Sequence, residues 1–333
     1  MTRYRKLWII FSLLVIIMLS ACSNSEKPSK REDIKQKNVS ESKELVITNM
    51  DHNFTYTEAP KRAVTLNQHA TEIMLALGLQ DSMVGTAYLD DEILPEFKKA
   101  YENIPVLAKE YPSKEVFFGV EPDFAYAGWR SAFTEQSLGT VEELQKIGVN
   151  IYIQESSSMS TTPTLEDMYK DIENIGRIFH VENRATELIN QIKQDIEETI
   201  AKVGQVEEPL NVLVYDSGEE VPMAAAKDNY LVNLVTMAGG NNIFNDTKGG
   251  WPEVSWEEIV NRNPEAIIII DYGDITVEQK KKFLLNKKEL ADLPAIKNKK
   301  FIVLPLSAGA EGIRAPLALK TVAEGLYPEK FEK

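Results

Sequence analysis

The chain carries 51 acidic residues but only 3 histidines and 1 cysteine, and this imbalance limits the chemistry open to it. Cys22 stands alone, so neither an internal disulfide nor a thiolate metal cluster can be built. His52, His69 and His180 are too few for a zinc or manganese site made of several imidazoles, although one histidine with three carboxylates stays open on composition. The sequence holds no Gly-x-Ser-x-Gly elbow, Walker loop, Gly-x-Gly-x-x-Gly fingerprint or His-Glu-x-x-His pair. No carboxylate stands beside a pattern that would make it catalytic, and neither a catalytic residue nor a metal ligand is assigned. What remains are aromatic and basic side chains in loops that follow strands. Ligand clefts in open α/β sheets lie beyond the carboxyl ends of the strands. That rule selects Gln68 and His69 after one buried strand, Tyr88 after the next, and Trp129 with Arg130 after Tyr126. In the second half it selects Tyr215 and the two residues after it, Tyr272, and the loop ending in Arg314. Trp251 follows Gly249 and Gly250, a pair flexible enough to present an indole at a cleft edge.

Each of these residues has a plainer reading. Trp129 can pack within its own lobe, Trp256 within a helix turn, and Arg314 can serve the surroundings of the last helix. His69 precedes a helix and His180 sits at a helix break, where a structural hydrogen bond accounts for either. Glu115 and Glu257 fall at helix starts, where the helix dipole favours a carboxylate. The net charge of −14 argues against a nucleic-acid partner, since a basic face would need strong segregation of charge. The lysines over 280–300 are interleaved with acids and read as a solvated helix face.

The elements that position these side chains follow from periodicity. Between about 164 and 203, Leu165, Met168, Ile172 and Ile175 keep helical spacing, and so do Ala185, Ile189, Ile192, Ile196 and Ile200. The run Glu182 to Val203 predicts a helix roughly 33 Å long at about 1.5 Å per residue. Bending is expected to concentrate at Gly176 and His180, between the two runs. On either side, strands alternate with helices. The fold class is therefore α/β, with two lobes, each a mostly parallel sheet covered by helices with its own core, joined by one long helix. Residues 45–163 form the first lobe, 164–208 the connecting helices and 209–333 the second. Within the first lobe, 134–147 reads as helix and Ser113 as the cap of the helix that follows it.

The N-terminus is a processing signal. Arg3, Arg5 and Lys6 precede an apolar run, Leu7 to Leu19, too short for an ordinary span. The sequence LSAC at 19–22 resembles a bacterial lipobox. That resemblance implies a signal peptide over 1–21, diacylglycerol on the Cys22 sulfur and a further acyl chain such as palmitate. Two acyl chains anchor stably where one does not. Residues 22–44 hold almost no large apolar side chain and read as a flexible tether.

Several stretches together resemble the class III solute-binding proteins of bacterial ABC importers for iron-siderophores, cobalamin and haem. They are PKRAVTL at 60–66, ATEI at 70–73, LGL at 77–79, EPDFAYA at 121–127, GGNNIF at 239–244, WPEVSWEE at 251–258 and NPEAIII at 263–269. Together they cover roughly residues 45 to 328. The resemblance implies a monomeric receptor without catalysis or a resident cofactor. It would be lipid-anchored on the extracellular face of the cell membrane and would deliver a chelate to a permease and its ATPase. It also implies that Glu115 and Glu257, one per lobe, dock onto permease arginines. Rings suit the faces of a chelate and arginines its anionic oxygens, so Arg130 and Arg314 point to an anionic ferric siderophore. Cobalamin or haem is the alternative ligand, and a lipoprotein enzyme the alternative class.

Overall fold

The computed structural model describes residues 44–158 and 162–332. The signal over 1–21, Cys22 and the tether as far as residue 43 lie outside the described residues. The chain begins with an antiparallel hairpin of β1 (Leu45–Asn49) and β2 (His52–Tyr56). The first lobe is a parallel sheet of β3 (Ala63–Leu66), β4 (Met83–Ala87), β5 (Val106–Ala108), β6 (Phe124–Ala127) and β7 (Asn150–Ile153). Its order is β5-β4-β3-β6-β7. The order reverses between β3 and β6, so the loops leaving these two strands diverge and leave a crevice at their carboxyl ends. Helices α1 (Gln68–Ala76), α2 (Lys114–Gly119) and α3 (Val141–Lys146) belong to this lobe. Ser113 caps α2 by accepting from the Val116 N–H, as the sequence predicts. The helix expected over 134–147 is confined to α3. Gly139 adopts φ +108°, and Thr140 then starts a new helix with a reciprocal capping box to Glu143.

Two helices lead to the second lobe: α4 (Leu165–Ile178) and α5 (Glu182–Val203), the latter with the bounds that its periodicity predicts. The corner between them is packed. A β-carbon on Gly176 would lie 2.6 Å from that of Ala185, so only glycine lets the two helices touch there. His180 closes the corner at φ +57°, the left-handed conformation that commonly ends helices. The expected bending point is a tight joint.

The second lobe carries the sheet β10-β8-β11-β12, with β9 antiparallel on β8. These strands are β8 (Leu210–Ser217), β9 (Met223–Ala224), β10 (Gly240–Asn242), β11 (Ala266–Asp271) and β12 (Phe301–Pro305). Ile267 to Ile270 are buried on both sheet faces, as a central parallel strand requires. Helices α6 (Tyr230–Met237), α7 (Trp256–Arg262), α8 (Val277–Asn286) and α9 (Ala315–Leu326) cover the sheet. Separate cores were expected, but one apolar cluster runs through both lobes. It joins Leu66 and Phe124 through Ile172 and Ile189 to Leu234 and Leu319. A second cluster, around Leu213, Phe244 and Leu284, sits within the second lobe.

Candidate functional site

The first wall of the cleft is built where β3 and β6 end. Asn67 leaves β3 at φ +78°, and its side-chain oxygen accepts from the Gly128 N–H at 3.2 Å. This ties the two loops together. A β-carbon on Gly128 would come within 2.2 Å of the His69 ring, so the approach depends on glycine. His69 is buried, its ring centroid 5.1 Å from that of Trp129, and its Nε2 lies 3.2 Å from the Ser157 Oγ. Burial pushes the imidazole down to about 4, so it is neutral at pH 7. Trp129 stands half-exposed above it. Tyr88 meets Trp129 edge-on at 6.5 Å and Tyr111 at 4.7 Å, which extends the indole into a row of three rings. The row continues into an open hollow of about 710 Å³ lined by Tyr88, Tyr111 and Ser131. Reading strand ends misses Tyr111, because it lies in the approach to α2; the YPSKE segment around it was the available signal.

The second wall presents Trp251. Its loop is held firmly, contrary to the flexibility that Gly249 and Gly250 suggest. Asp228 accepts from the Gly249 N–H at 2.8 Å, and the Gly250 carbonyl accepts from the Ala226 N–H and the Asn229 amide. After β12 the chain brings Leu306, Ala310 and Glu311 to the same space. The Glu311 carboxylate accepts from the Ser157 hydroxyl at 2.9 Å, and its carbonyl accepts from the Gln154 amide. Both bonds cross between the lobes. Burial raises the Glu311 carboxyl to about 7, against hydrogen bonds that lower it. Trp129 and Trp251 line one cavity of about 370 Å³ between the lobes, with Ser157, Asp228 and Glu311 among its polar lining.

Trp129 and Trp251 thus come together, with His69 beneath and Tyr88 beside them. Of the predicted ligand residues, Trp129 and Trp251 alone line this cavity. Arg314 is a correction: its guanidinium is buried and grips Glu72 in bidentate fashion, Nε to Oε2 at 2.7 Å and one terminal nitrogen to Oε1 at 2.5 Å. Its remaining donors reach Ser307 Oγ and the Glu92 carbonyl, so the residue fastens one lobe to the other. Gln68 is buried in the same seam, bonded to Glu72 and to the Asp91 N–H. Tyr215 is a core residue, 2% exposed, with its hydroxyl on the Gly218 carbonyl and its ring against Trp256. Tyr272 donates to Asp216 at 2.7 Å, with the Lys280 ammonium 4.6 Å from its ring centre. Arg130 is exposed and directed to the Met50 sulfur.

Glu115 and Glu257 are both exposed and both occupy the second position of a helix after a capping serine. Neither is in an ion pair among the described residues, whereas Glu258 is paired with Arg262 at 2.7 Å. Among the described residues no group of three or more His, Cys, Asp or Glu could hold a metal ion, and no helix is long and apolar enough to cross a membrane.

Comparison with known proteins gives this geometry a context. Residues 64–308 match the family described as periplasmic binding protein. A periplasmic binding protein from Veillonella parvula is 32% identical and superposes with a TM-score of 0.79, covering 86% of this chain and 98% of its own. An uncharacterised ABC transporter substrate-binding lipoprotein, YvrC of Bacillus subtilis, is 24% identical over 96% of both chains. The vitamin B12-binding protein of Vibrio parahaemolyticus is 28% identical over 63% of this chain and 70% of its own. The chain belongs to the periplasmic binding protein family, as a substrate-binding protein of an ABC transporter and not an enzyme.

Proposed function

We propose that this protein is a lipid-anchored receptor that captures a large metal chelate of the corrinoid class between its lobes and delivers it to a permease and its ATPase. The observation that carries this reading is the pair of indoles, Trp129 and Trp251, facing one cavity from opposite lobes. Aromatic faces suit the flat body of a macrocycle. The ring row through Tyr88 and Tyr111 offers further surface for a ligand too large for the cavity alone. Similarity to a vitamin B12-binding protein supports the same class. An anionic ferric siderophore has lost its main support, because Arg314 is engaged by Glu72 and Arg130 lies outside the cavity lining. The chelate is cargo, and no resident cofactor is part of the reading. Calorimetric titration with cyanocobalamin, ferric siderophores and haem tests it. Cyanocobalamin is expected to bind saturably, and W129A or W251A to weaken it by about tenfold or more. Binding of haem or a ferric siderophore without cyanocobalamin would sink the ligand class.

Delivery rests on Glu115 and Glu257, unpaired carboxylates at matching helix positions on the two lobes. Paired charges of this kind set orientation and association rate more than affinity. Anchoring rests on Cys22 in its lipobox-like setting and on similarity to a lipoprotein over nearly the whole chain. In cells, E115K combined with E257K is expected to abolish ligand uptake while binding persists, and C22S to release the protein from the membrane. Unchanged uptake removes the docking role, and a C22S protein still membrane-bound removes the anchor.

A further inference from the structure

Among the described residues, the charged side chains lining the interlobe cavity are Asp228 and Glu311, with no lysine or arginine. Asp228 already accepts from the Gly249 N–H and from the Thr162 hydroxyl, so its role is to hold the Trp251 loop. Glu311 differs. Its carboxyl sits at the seam between the lobes and accepts from Ser157, with its own backbone N–H as a second partner. A carboxylate has about four acceptor sites, so capacity remains on the cavity side. The His69 ring, which shares the Ser157 hydroxyl with Glu311, is neutral at pH 7, and the Arg314 guanidinium is held by Glu72. Among the described residues, no positive charge within the lining is therefore available to balance Glu311. The adjoining hollow is mixed in sign, with Lys114 beside Glu110 and Glu135, so the argument applies to the interlobe cavity alone.

We infer that Glu311 is a specificity-determining residue that reads hydrogen-bond donors on the rim of the ligand, selecting carboxamide- or ammonium-bearing chelates and rejecting those whose rim carries carboxylates. A donor placed on Glu311 supplies the partner that the fold withholds, and a charge-assisted bond in an enclosed site is stronger than a neutral one. Once Glu311 is ionised, above about pH 7, a ligand carboxylate in the same place meets a like charge without a counterion, which is discrimination by repulsion. The inference rests on the cleft reading above and narrows it from chelates in general to those with a donor rim. It also accounts for a cavity that holds two indoles and no arginine.

The test uses two pairs of probes that differ only in the rim group: cyanocobalamin against its monocarboxylic acids, and ferrioxamine B, which carries an ammonium, against its N-succinyl derivative. The full chain in detergent, at about pH 8.5 where Glu311 is ionised, is expected to favour the donor-bearing member of whichever pair binds by about tenfold or more. E311Q is expected to shrink that preference to about threefold or less while retaining binding, since glutamine keeps the size and loses the charge. Equal affinities within a pair that binds, or an E311Q preference equal to that of the native chain, overturns the inference. If cyanocobalamin binds in a W251A-sensitive way without preference, the inference falls and the cleft reading stands. If neither corrinoid binds but the ferrioxamine pair is discriminated, the corrinoid class falls and the inference stands. If no member of either pair binds, both fall.

Discussion

At the scale of single residues, the cleft is governed by which polar groups are already engaged. Arg314 and Glu311 are three positions apart, yet one has four of its five N–H donors engaged and the other has acceptor capacity left in a cavity. Strand-end reasoning finds Trp129 and Trp251, because an aromatic after a strand and a glycine pair is visible in one dimension. It misplaces Arg314, since its partner Glu72 lies 242 positions away and the sequence gives no sign of a bidentate pair. Glu311 lies in the loop that the same reasoning selects, but one acidic residue among 51 is inconspicuous there until its burial is known. That burial has a testable consequence. With the folded-state carboxyl raised to about 7, the native chain holds a proton that the unfolded chain releases near the ordinary glutamate value. Its contribution to stability is complete below that ordinary value and is lost as pH rises through about 7. His69, lowered to about 4, has the opposite sign: its contribution is present above the ordinary histidine value and is lost as pH falls towards 4. E311Q is therefore expected to lose less stability than the native chain between about pH 5 and 8, by on the order of 2 kcal/mol. Denaturant midpoints across that range at fixed ionic strength measure it, and parallel profiles would show that Glu311 is not the titrating group.

Among the elements, the long amphipathic helix α5 and the all-apolar run of β11 are legible because their periods are sustained. The short strand β10 carries only three residues, all glycine and asparagine, and nothing in its composition announces a strand. The glycine that joins α4 to α5 misleads in a different way. Gly176 suggests freedom to bend, whereas close contact with Ala185 requires the missing side chain. G176A is accordingly expected to destabilise by about 1–3 kcal/mol through overpacking, against a gain of about 1 kcal/mol from helix propensity. Adding A185G is expected to restore much of the loss, a coupling that urea denaturation of the single and double variants reads directly. A G176A protein at least as stable as the native chain would return the corner to its earlier interpretation as a hinge.

For the molecule as a whole, the two sheets share one apolar cluster and a polar seam. Glu72 meets Arg314, the Asp91 carboxylate accepts from the Ser307 N–H at 3.1 Å, and Glu311 meets Ser157. The two-lobed α/β architecture was readable from the sequence; the depth of this union was not, because it arises from pairs far apart in the chain. Removing one partner of a buried ion pair leaves the other charge uncompensated, so E72Q is expected to cost about 3–5 kcal/mol. It is also expected to enlarge the radius of gyration seen by small-angle scattering, whereas ligand leaves the curve of the native chain nearly unchanged. An E72Q protein of native stability and size would mean that the seam does not hold the lobes. The same seam has a kinetic consequence. A receptor whose halves are already fastened has no slow closing step, so its observed association rate should climb in proportion to ligand concentration without reaching a plateau. Release then becomes the difficult event, because parting the lobes breaks the buried pair of Glu72 and Arg314.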